Sequence, residues 1–232
     1  MKQLTLDKYH FQSHLLLNHL SPKDADLLRN KMIHQQYRKG QSIFIEGSYP
    51  AGVFLLKQGK VKKFKLDRNG NEQIFYICVS GDLLGHPALL SEEPYPDSAT
   101  AIEPCEIGYI PKSVFSQLLN SSKTFSRQIL QNISHEFGVL VNIISVYTHK
   151  SGQERLALSL LILYEKFNAN NTTLTAQPIN LSREDMANMV GVAVETLVRL
   201  LNDFKTEKII TTQGRKIFIT NPNKLMEIVR LS

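Results

Sequence analysis

The sequence contains few of the features that mark secreted, membrane-spanning or cofactor-rich proteins. Its two cysteines, Cys78 and Cys105, exclude a disulfide framework and an iron–sulfur cluster held by four thiolates of one chain. Each lies in an apolar, strand-like run, so we expect buried free thiols. No apolar run approaches the ~20 residues of a membrane span, and the first ten residues lack the apolar core of a signal peptide. These absences predict a cytoplasmic protein without a membrane partner.

Charge and histidine content leave the function open. The net charge of +6 is spread along the 232 residues and permits nucleic-acid binding without indicating it. His10 and His14 lie four residues apart, but no third ligand accompanies them, so a solvated helix face is favoured over a zinc site. The function must therefore be inferred from residue patterns.

The first half of the chain changes character near Tyr37. Residues 1–35 show helical spacing of apolar residues, whereas residues 37–110 form short β-rich runs separated by glycines. Asn69-Gly70 is typical of a hairpin turn. Many short strands at this spacing predict a compact antiparallel barrel or roll. The predicted strands are residues 42–45, 53–56, 61–66, 73–79 and 106–110.

Residues 121–149 have the pattern of one long helix with a heptad seam. A partner helix of a second copy would bury this seam, and packing against the chain's own barrel is the alternative. A hinge is expected at residues 150–152, where Ser151 and Glu154 form a capping box for a leucine-rich helix. The polar residues 168–177 predict a loop after that helix. The seam consists of Leu130, Ile133, Phe137, Leu140, Ile144 and Tyr147.

Residues 180–205 predict two helices joined by a tight turn. Ser182 is the expected N-cap of the first helix, and Gly191 has the conformational freedom to end it in the left-handed conformation. In the second helix, leucines and Phe204 form a buried stripe that leaves Glu195 and Arg199 outside. This is the pattern of a helix-turn-helix, whose second helix enters the major groove of DNA. There Arg199 would bond guanine and Glu195 the cytosine amine.

The next segment decides between DNA reading and a plain surface ion pair. Alone, Glu195 and Arg199 would be better explained as an i,i+4 ion pair that stabilises the helix by ~0.3–0.5 kcal/mol. Residues 209–219, however, predict a hairpin with Arg215 and Lys216 at its tip. A helix-turn-helix followed by such a wing is a DNA-binding module, and the two cations would contact phosphates.

Taken in order, these segments resemble the Crp/Fnr family of transcription regulators from about Tyr37 to Ile219. The resemblance is carried by five short runs whose order and spacing are specific together. They are residues 39–47 (KGQSIFIEG), 59–61 (GKV), 71–74 (NEQI), 81–85 (GDLLG) and 190–201 (VGVAVETLVRLL).

The resemblance implies an α+β fold with three parts. Residues 1–120 would hold N-terminal helices and a cyclic-nucleotide-binding-like β-roll, 121–150 a dimerisation helix with its hinge, and 151–232 a winged helix-turn-helix. It implies a homodimer that binds an inverted repeat in double-stranded DNA and acts with RNA polymerase. A signal at the roll would shift the dimer helix and re-aim the reading helices.

The resemblance also implies residue roles at the DNA. Glu195 and Arg199 match the family's base-reading residues, and Ser182, Arg183 and Thr196 match positions that contact the DNA backbone. Val194 stands where the cAMP-receptor branch has arginine, and Val198 where the Fnr branch has serine. The half-site should therefore keep the family's G·A core and differ at its outer bases.

The effector site departs further from the family pattern. The ribose-binding glutamate of cAMP-binding members is replaced by His86, and the phosphate-binding arginine by Asp97. A carboxylate near a phosphate adds repulsion, so cAMP is not expected to bind. The cofactor is unknown: a small apolar ligand, a haem bound through His86 and no effector at all remain open. The candidate effector-binding residues are Gly81, Leu83, Gly85, His86, Ser98 and Ala99.

Other function classes are weaker. A cyclic-nucleotide or haem sensor of the same family is the alternative. An enzyme is not expected, because the roll offers one histidine, His86, and no phosphate-binding loop or nucleophile elbow.

Overall fold

The computed structural model describes residues 6–11, 13, 17, 20–169 and 176–229. The chain divides into two compact units. We call His10–Lys65 with Phe75–Val139 the roll unit, and Met1–Tyr9, Leu66–Ile74 and Leu140–Ser232 the C-terminal unit. His14 and most of the predicted polar loop, residues 170–175, lie outside the described residues.

Two four-stranded sheets form the β-roll, with strand orders β1-β8-β3-β6 and β2-β7-β4-β5. Their facing sides bury residues such as Leu56, Val61, Ala99 and Ile107, which are all inaccessible to solvent. The strands are β1 Ile33–Tyr37, β2 Ser42–Phe44, β3 Gly52–Gln58, β4 Val61–Leu66, β5 Glu72–Cys78, β6 Leu83–Leu84, β7 Ser98–Ala101 and β8 Cys105–Pro111.

All five predicted strands are present, and the Asn69-Gly70 turn joins β4 to β5. Gly70 has a φ of 83°, in the left-handed region, and the Asp67 carboxylate accepts hydrogen bonds from the backbone N–H groups of Asn69 and Asn71 at 2.8 and 2.9 Å. The predicted buried free thiols are confirmed for both cysteines.

The helical prediction for residues 1–35 is wrong at its end. Residues 33–37 form β1, which pairs with β8 from Ile33↔Tyr109 to Tyr37↔Cys105. Its polar middle residues carry no strand signal, so the ladder with β8 determines the conformation. Before it, a 3-10 helix covers Leu6–Tyr9 and α1 covers Pro22–Lys31, capped by Ser21.

Three more helices accompany the roll: α2 His86–Ser91, α3 Lys112–Ser121 and α4 Lys123–His149. The predicted long helix is therefore present, although Ser122 separates it from α3, which the sequence pattern did not reveal. The start of α4 packs into the roll unit through Phe125, whose ring meets that of Phe115 edge-on at 5.5 Å. Ile129 is buried in the same cluster.

By length and composition alone, α4 also meets the criteria for a membrane-crossing helix. Its most apolar 18-residue window has a mean hydropathy of 1.2, and 22% of that window is buried within the chain. Phe125, Ile129 and Val139 are among the residues that the chain itself buries. The same helix is thus a packing element of the folded protein with one uncovered apolar face.

Helix α5, Gly152–Asn168, is the first helix of the C-terminal unit after α4. The predicted capping box is present, with both Ser151 and Glu154 making their reciprocal hydrogen bonds. All five leucines of the predicted stripe, from Leu156 to Leu163, are buried. The remaining elements are β9 Ile179–Asn180, α6 Arg183–Val190, α7 Val194–Thr206, β10 Ile210–Gln213, β11 Lys216–Ile219 and α8 Pro222–Val229.

Candidate nucleic-acid interface and effector site

Helices α6 and α7 form the predicted helix-turn-helix. Ser182 caps α6, because its hydroxyl accepts a hydrogen bond from the backbone N–H of Asp185 at 2.9 Å. Gly191 ends α6 with φ 72°, in the left-handed region. A side chain there would also approach the ring of Tyr147, at 3.2 Å from a Cβ atom. The turn thus requires glycine for two independent reasons.

The C-terminal end of α6 is held by side chains from three other segments. Helix ends leave four carbonyl groups without intrahelical partners. Gln73 donates to the carbonyl of Asn188 at 2.8 Å, and the Tyr147 hydroxyl donates to that of Met189. Arg155 donates to the carbonyls of Val190 and Gly191 at 2.8 and 3.1 Å. We call Gln73, Tyr147 and Arg155 the carbonyl clamp. It fixes the turn that precedes α7.

The amphipathic α7 presents a polar face to solvent. Leu197, Leu200, Leu201 and Phe204 are buried, as predicted. Glu195 and Arg199 are both exposed. Within residues 20–169 and 176–229, neither the Glu195 nor the Arg199 side chain has a hydrogen bond or an ion pair. The intrahelical salt bridge between them, which was the alternative interpretation, is therefore not formed. Both are therefore available to an external ligand.

Strands β10 and β11 form the wing that was predicted at residues 209–219, and they pair in register from Ile210↔Ile219 to Gln213↔Lys216. Arg215 and Lys216 at its tip are exposed. Arg183, at the start of α6, donates to the wing-tip carbonyls of Gly214 and Arg215 at 3.2 and 3.3 Å. Burial lowers the pKa of Arg183. This arginine therefore ties the wing to the helix-turn-helix, a role that the sequence did not indicate.

The other two predicted backbone-contact residues are less accessible. Thr196 is half-buried on α7. The Ser182 hydroxyl already caps α6 and donates to the Asp185 carboxylate at 2.6 Å.

The predicted seam on α4 is only partly uncovered. Leu130, Phe137, Leu140 and Ile144 are 43–70% exposed. Ile133 packs against the core of the roll unit, and Tyr147 belongs to the carbonyl clamp. Val141, 52% exposed, lies beside Leu140. The uncovered apolar stripe therefore consists of Leu130, Phe137, Leu140, Val141 and Ile144, which we call the α4 stripe.

The candidate effector-binding residues lie in the interior of the β-roll. Gly81 and Gly85 both have left-handed φ values, 96° and 81°, and a side chain on Gly85 would meet the Tyr95 ring. Leu83, His86, Ser98 and Ala99 are all buried. The Ser98 hydroxyl accepts the backbone N–H of Glu46 at 3.0 Å. These side chains are thus part of the packed roll.

Asp97 has a cationic partner, Lys63, that was not among the predicted site residues. The Lys63 ammonium lies 2.9 Å from the Asp97 carboxylate, and both side chains are largely covered. Burial lowers the pKa of Lys63, but the charge of Asp97 and the hydrogen bond between the two side chains outweigh that effect, so the pKa of Lys63 is raised. Strand alternation could have revealed Lys63, because it shares the face of β4 that carries the buried Val61.

A second polar group surrounds His86. Its Nε2 lies 3.1 Å from Oδ1 of Asn132 and 3.9 Å from the Glu136 carboxylate, both on α4. Burial, and then the charge of Lys63, lower the pKa of His86 to about 4. The ring is therefore neutral near pH 7, and the 3.9 Å approach to Glu136 is not an ion pair. Burial raises the pKa of Glu136.

Asp82 completes this polar interior. It is inaccessible to solvent and accepts the backbone N–H of Val79 at 2.9 Å. Burial raises its pKa to about 7. Among the described residues, no three His, Cys, Asp or Glu side chains are placed to hold a metal ion. Asn132 engages Nε2 of His86, whereas Nδ1 is buried without a hydrogen-bond partner among the described residues.

Comparison with known proteins agrees with both halves of this description. Residues 34–122 match the cyclic nucleotide-binding domain model, and residues 154–228 match the Crp-like helix-turn-helix domain model. The fumarate and nitrate reduction regulatory protein of Vibrio cholerae is 29% identical over 195 residues, covering 84% of this chain and 78% of its own length.

Solved structures share the fold. FixK2 from Bradyrhizobium japonicum superposes with a TM-score of 0.72 at 23% identity, covering 85% of this chain and 96% of its own. A mutant of CooA from Carboxydothermus hydrogenoformans also gives 0.72, at 22% identity, covering 96% and 99%.

The β-roll, the long helix and the winged helix-turn-helix together define a DNA-binding transcription regulator rather than an enzyme. The chain belongs to the Crp/Fnr family.

Proposed function

We propose that the protein binds an inverted-repeat operator as a homodimer and that α7 of each copy reads one half-site. The observation that carries this proposal is the pair of exposed, unengaged side chains Glu195 and Arg199 on the outer face of α7. Arg199 would bond O6 and N7 of guanine, and Glu195 would accept from the N4 amine of cytosine. Arg215 and Lys216 on the wing would contact phosphates.

The dimer proposal is supported by the α4 stripe. Apolar side chains with the spacing of a coiled-coil seam are exposed along one face of a 27-residue helix. Burying that face against a second copy would remove it from water. Helix-turn-helix dimers bind half-sites about one DNA turn apart, ~34 Å, and we expect this spacing in the operator. RNA polymerase as a partner and a cytoplasmic location follow from the same proposal, since a transcription regulator acts on the chromosome.

The domain assignment belongs to the same proposal. Residues 1–120 would receive the signal, 121–150 would form the dimer helix and hinge, and 151–232 would bind DNA. The signal at the roll remains unidentified, and the Lys63–Asp97 pair supports a ligand other than cAMP.

Binding selection from random duplexes tests the DNA proposal. We expect enrichment of paired, inverted half-sites with a G·C pair in each. Recovery of single or unrelated sites would contradict it. Sedimentation of Phe137→Glu, with Ile45→Glu as the control at another exposed apolar residue, tests the dimer. The first variant should sediment as a monomer and the second as a dimer.

A further inference from the structure

Two valines interrupt the polar face of α7. Val194 is 39% exposed and Val198 is 42% exposed, whereas every other leucine, valine and phenylalanine of this helix is buried. A single exposed apolar residue needs no explanation. Here, however, two lie four residues apart and therefore form one stripe on the same side of the helix. The stripe runs alongside the side chains proposed to read DNA.

The position of this stripe relative to the reading residues is fixed by the helix. Val194 directly precedes Glu195, and Val198 directly precedes Arg199. Both valines are in the N-terminal half of α7, the half that enters the major groove in helix-turn-helix proteins. When Glu195 and Arg199 meet a G·C pair, the valines consequently face the base pairs on one side of it.

The chemistry of the valine side chain selects among the bases. Valine has no hydrogen-bonding atom, so it gains nothing from the O6, N7 or amino groups of the groove. The only apolar group on a base edge in the major groove is the C5-methyl of thymine. A β-branched side chain also has essentially one rotamer in a helix, so it loses little entropy on contact.

We propose that Val194 and Val198 recognise thymine methyl groups beside the base pairs read by Glu195 and Arg199. This inference rests on the proposed function and specifies the outer bases of the half-site, which the sequence left undefined. The operator would then carry thymines at the flank that faces the valine stripe, and each contacted methyl would be buried against one valine.

Replacing thymine by deoxyuridine removes the methyl group and leaves all hydrogen-bonding atoms in place. The probe is the operator selected from random duplexes, with each thymine replaced in turn in both half-sites, and affinity is measured at fixed salt. We expect the wild-type protein to lose about fourfold in affinity per half-site at the contacted thymines, the factor for one buried methyl group. Val194→Ala and Val198→Ala should each lose discrimination at one thymine and keep it at the other.

Thr206→Ala is the matched control, because Thr206 is an exposed residue in the last turn of the same helix. It should discriminate thymine from deoxyuridine as the wild type does. Equal affinity of the wild type for the two duplexes, discrimination that survives in the Val194→Ala/Val198→Ala double variant, or a selected operator without flanking thymines would each overturn the inference and leave the proposed function intact. Failure to select any sequence would overturn both.

Discussion

The Lys63 ammonium lies 2.9 Å from the Asp97 carboxylate inside the β-roll. The resemblance to cAMP-binding regulators places a phosphate-binding arginine where this chain has Asp97. Lys63 supplies a positive charge nearby, but that charge is already paired with Asp97. A cyclic phosphate would have to separate this pair and accept an uncompensated carboxylate beside it. The positive charge of Lys63 is thus already neutralised by Asp97.

We therefore predict that cAMP does not bind. Calorimetric titration of the wild-type protein with cAMP should give no binding heat at micromolar concentrations. The expected loss relative to a charge-assisted pair is several kcal/mol for a partly buried site. Measured micromolar affinity for cAMP would show that Asp97 does not lie where the phosphate binds.

The buried Asp82 should make stability decrease with increasing pH. Its pKa is raised from 3.8 to about 7 in the folded state, so the folded state holds a proton that the unfolded state releases between these values. The stability of the wild type relative to Asp82→Asn should therefore fall between pH 4 and pH 7, by roughly 3–4 kcal/mol. Urea unfolding at several pH values measures this difference.

His86 provides the control of opposite sign. Its pKa is lowered from 6.5 to about 4, so the unfolded state binds the proton first as the pH falls. The stability of the wild type relative to His86→Gln should rise between pH 4 and pH 6.5. If the stability differences for Asp82→Asn and His86→Gln changed in the same direction with pH, burial would not be the dominant influence on the pKa values of Asp82 and His86.

Loss of the Tyr147 hydroxyl should loosen the carbonyl clamp. Tyr147→Phe removes the donor to the Met189 carbonyl and the acceptor for Gln73. We expect a loss of about 1–2 kcal/mol in the free energy of unfolding, because a covered carbonyl loses its partner. Tyr49→Phe is the control, since Tyr49 is 74% exposed. Equal stability of the two variants in urea would contradict a structural role for the clamp.

Arg183 should act on DNA binding through the wing. We expect Arg183→Ala to lower the affinity of the wild-type protein for the operator. In an Arg215→Ala/Lys216→Ala variant, the same substitution should cause little further loss of affinity. A direct phosphate contact by Arg183 would instead add its full effect and lower the salt slope by about one further unit. Affinity measured across a salt series for the three variants distinguishes these outcomes.

Much of the fold could be predicted because its signals are local. Gly191, the Ser151–Glu154 capping box and the Asn69-Gly70 turn each mark a boundary through their own backbone preferences. β1 could not be predicted, since its polar residues become a strand only through pairing with β8. Helix α3 was likewise not predicted, although the predicted start of the long helix, residue 121, lies within two residues of the start of α4 at Lys123.

The candidate DNA-binding site could likewise be predicted only where its signals are local in the sequence. The outer face of α7 follows from helical periodicity, so Glu195 and Arg199 could be placed from the sequence. The contacts of Gln73 with Asn188 and of Arg183 with Gly214 join residues 115 and 31 positions apart. Such pairs depend on tertiary packing, which a single sequence does not specify. Strand alternation could have placed Lys63 on the inner face of β4, but its pairing with Asp97 depends on the same tertiary packing.

Base reading by α7 is tested by the affinity of Arg199→Ala for the selected operator. We predict a loss of about 5- to 150-fold, equivalent to the 1–3 kcal/mol of one bidentate contact with guanine, together with relaxed selectivity at that base pair. An Arg199→Ala protein that binds the operator with unchanged affinity and unchanged selectivity would contradict base reading by α7.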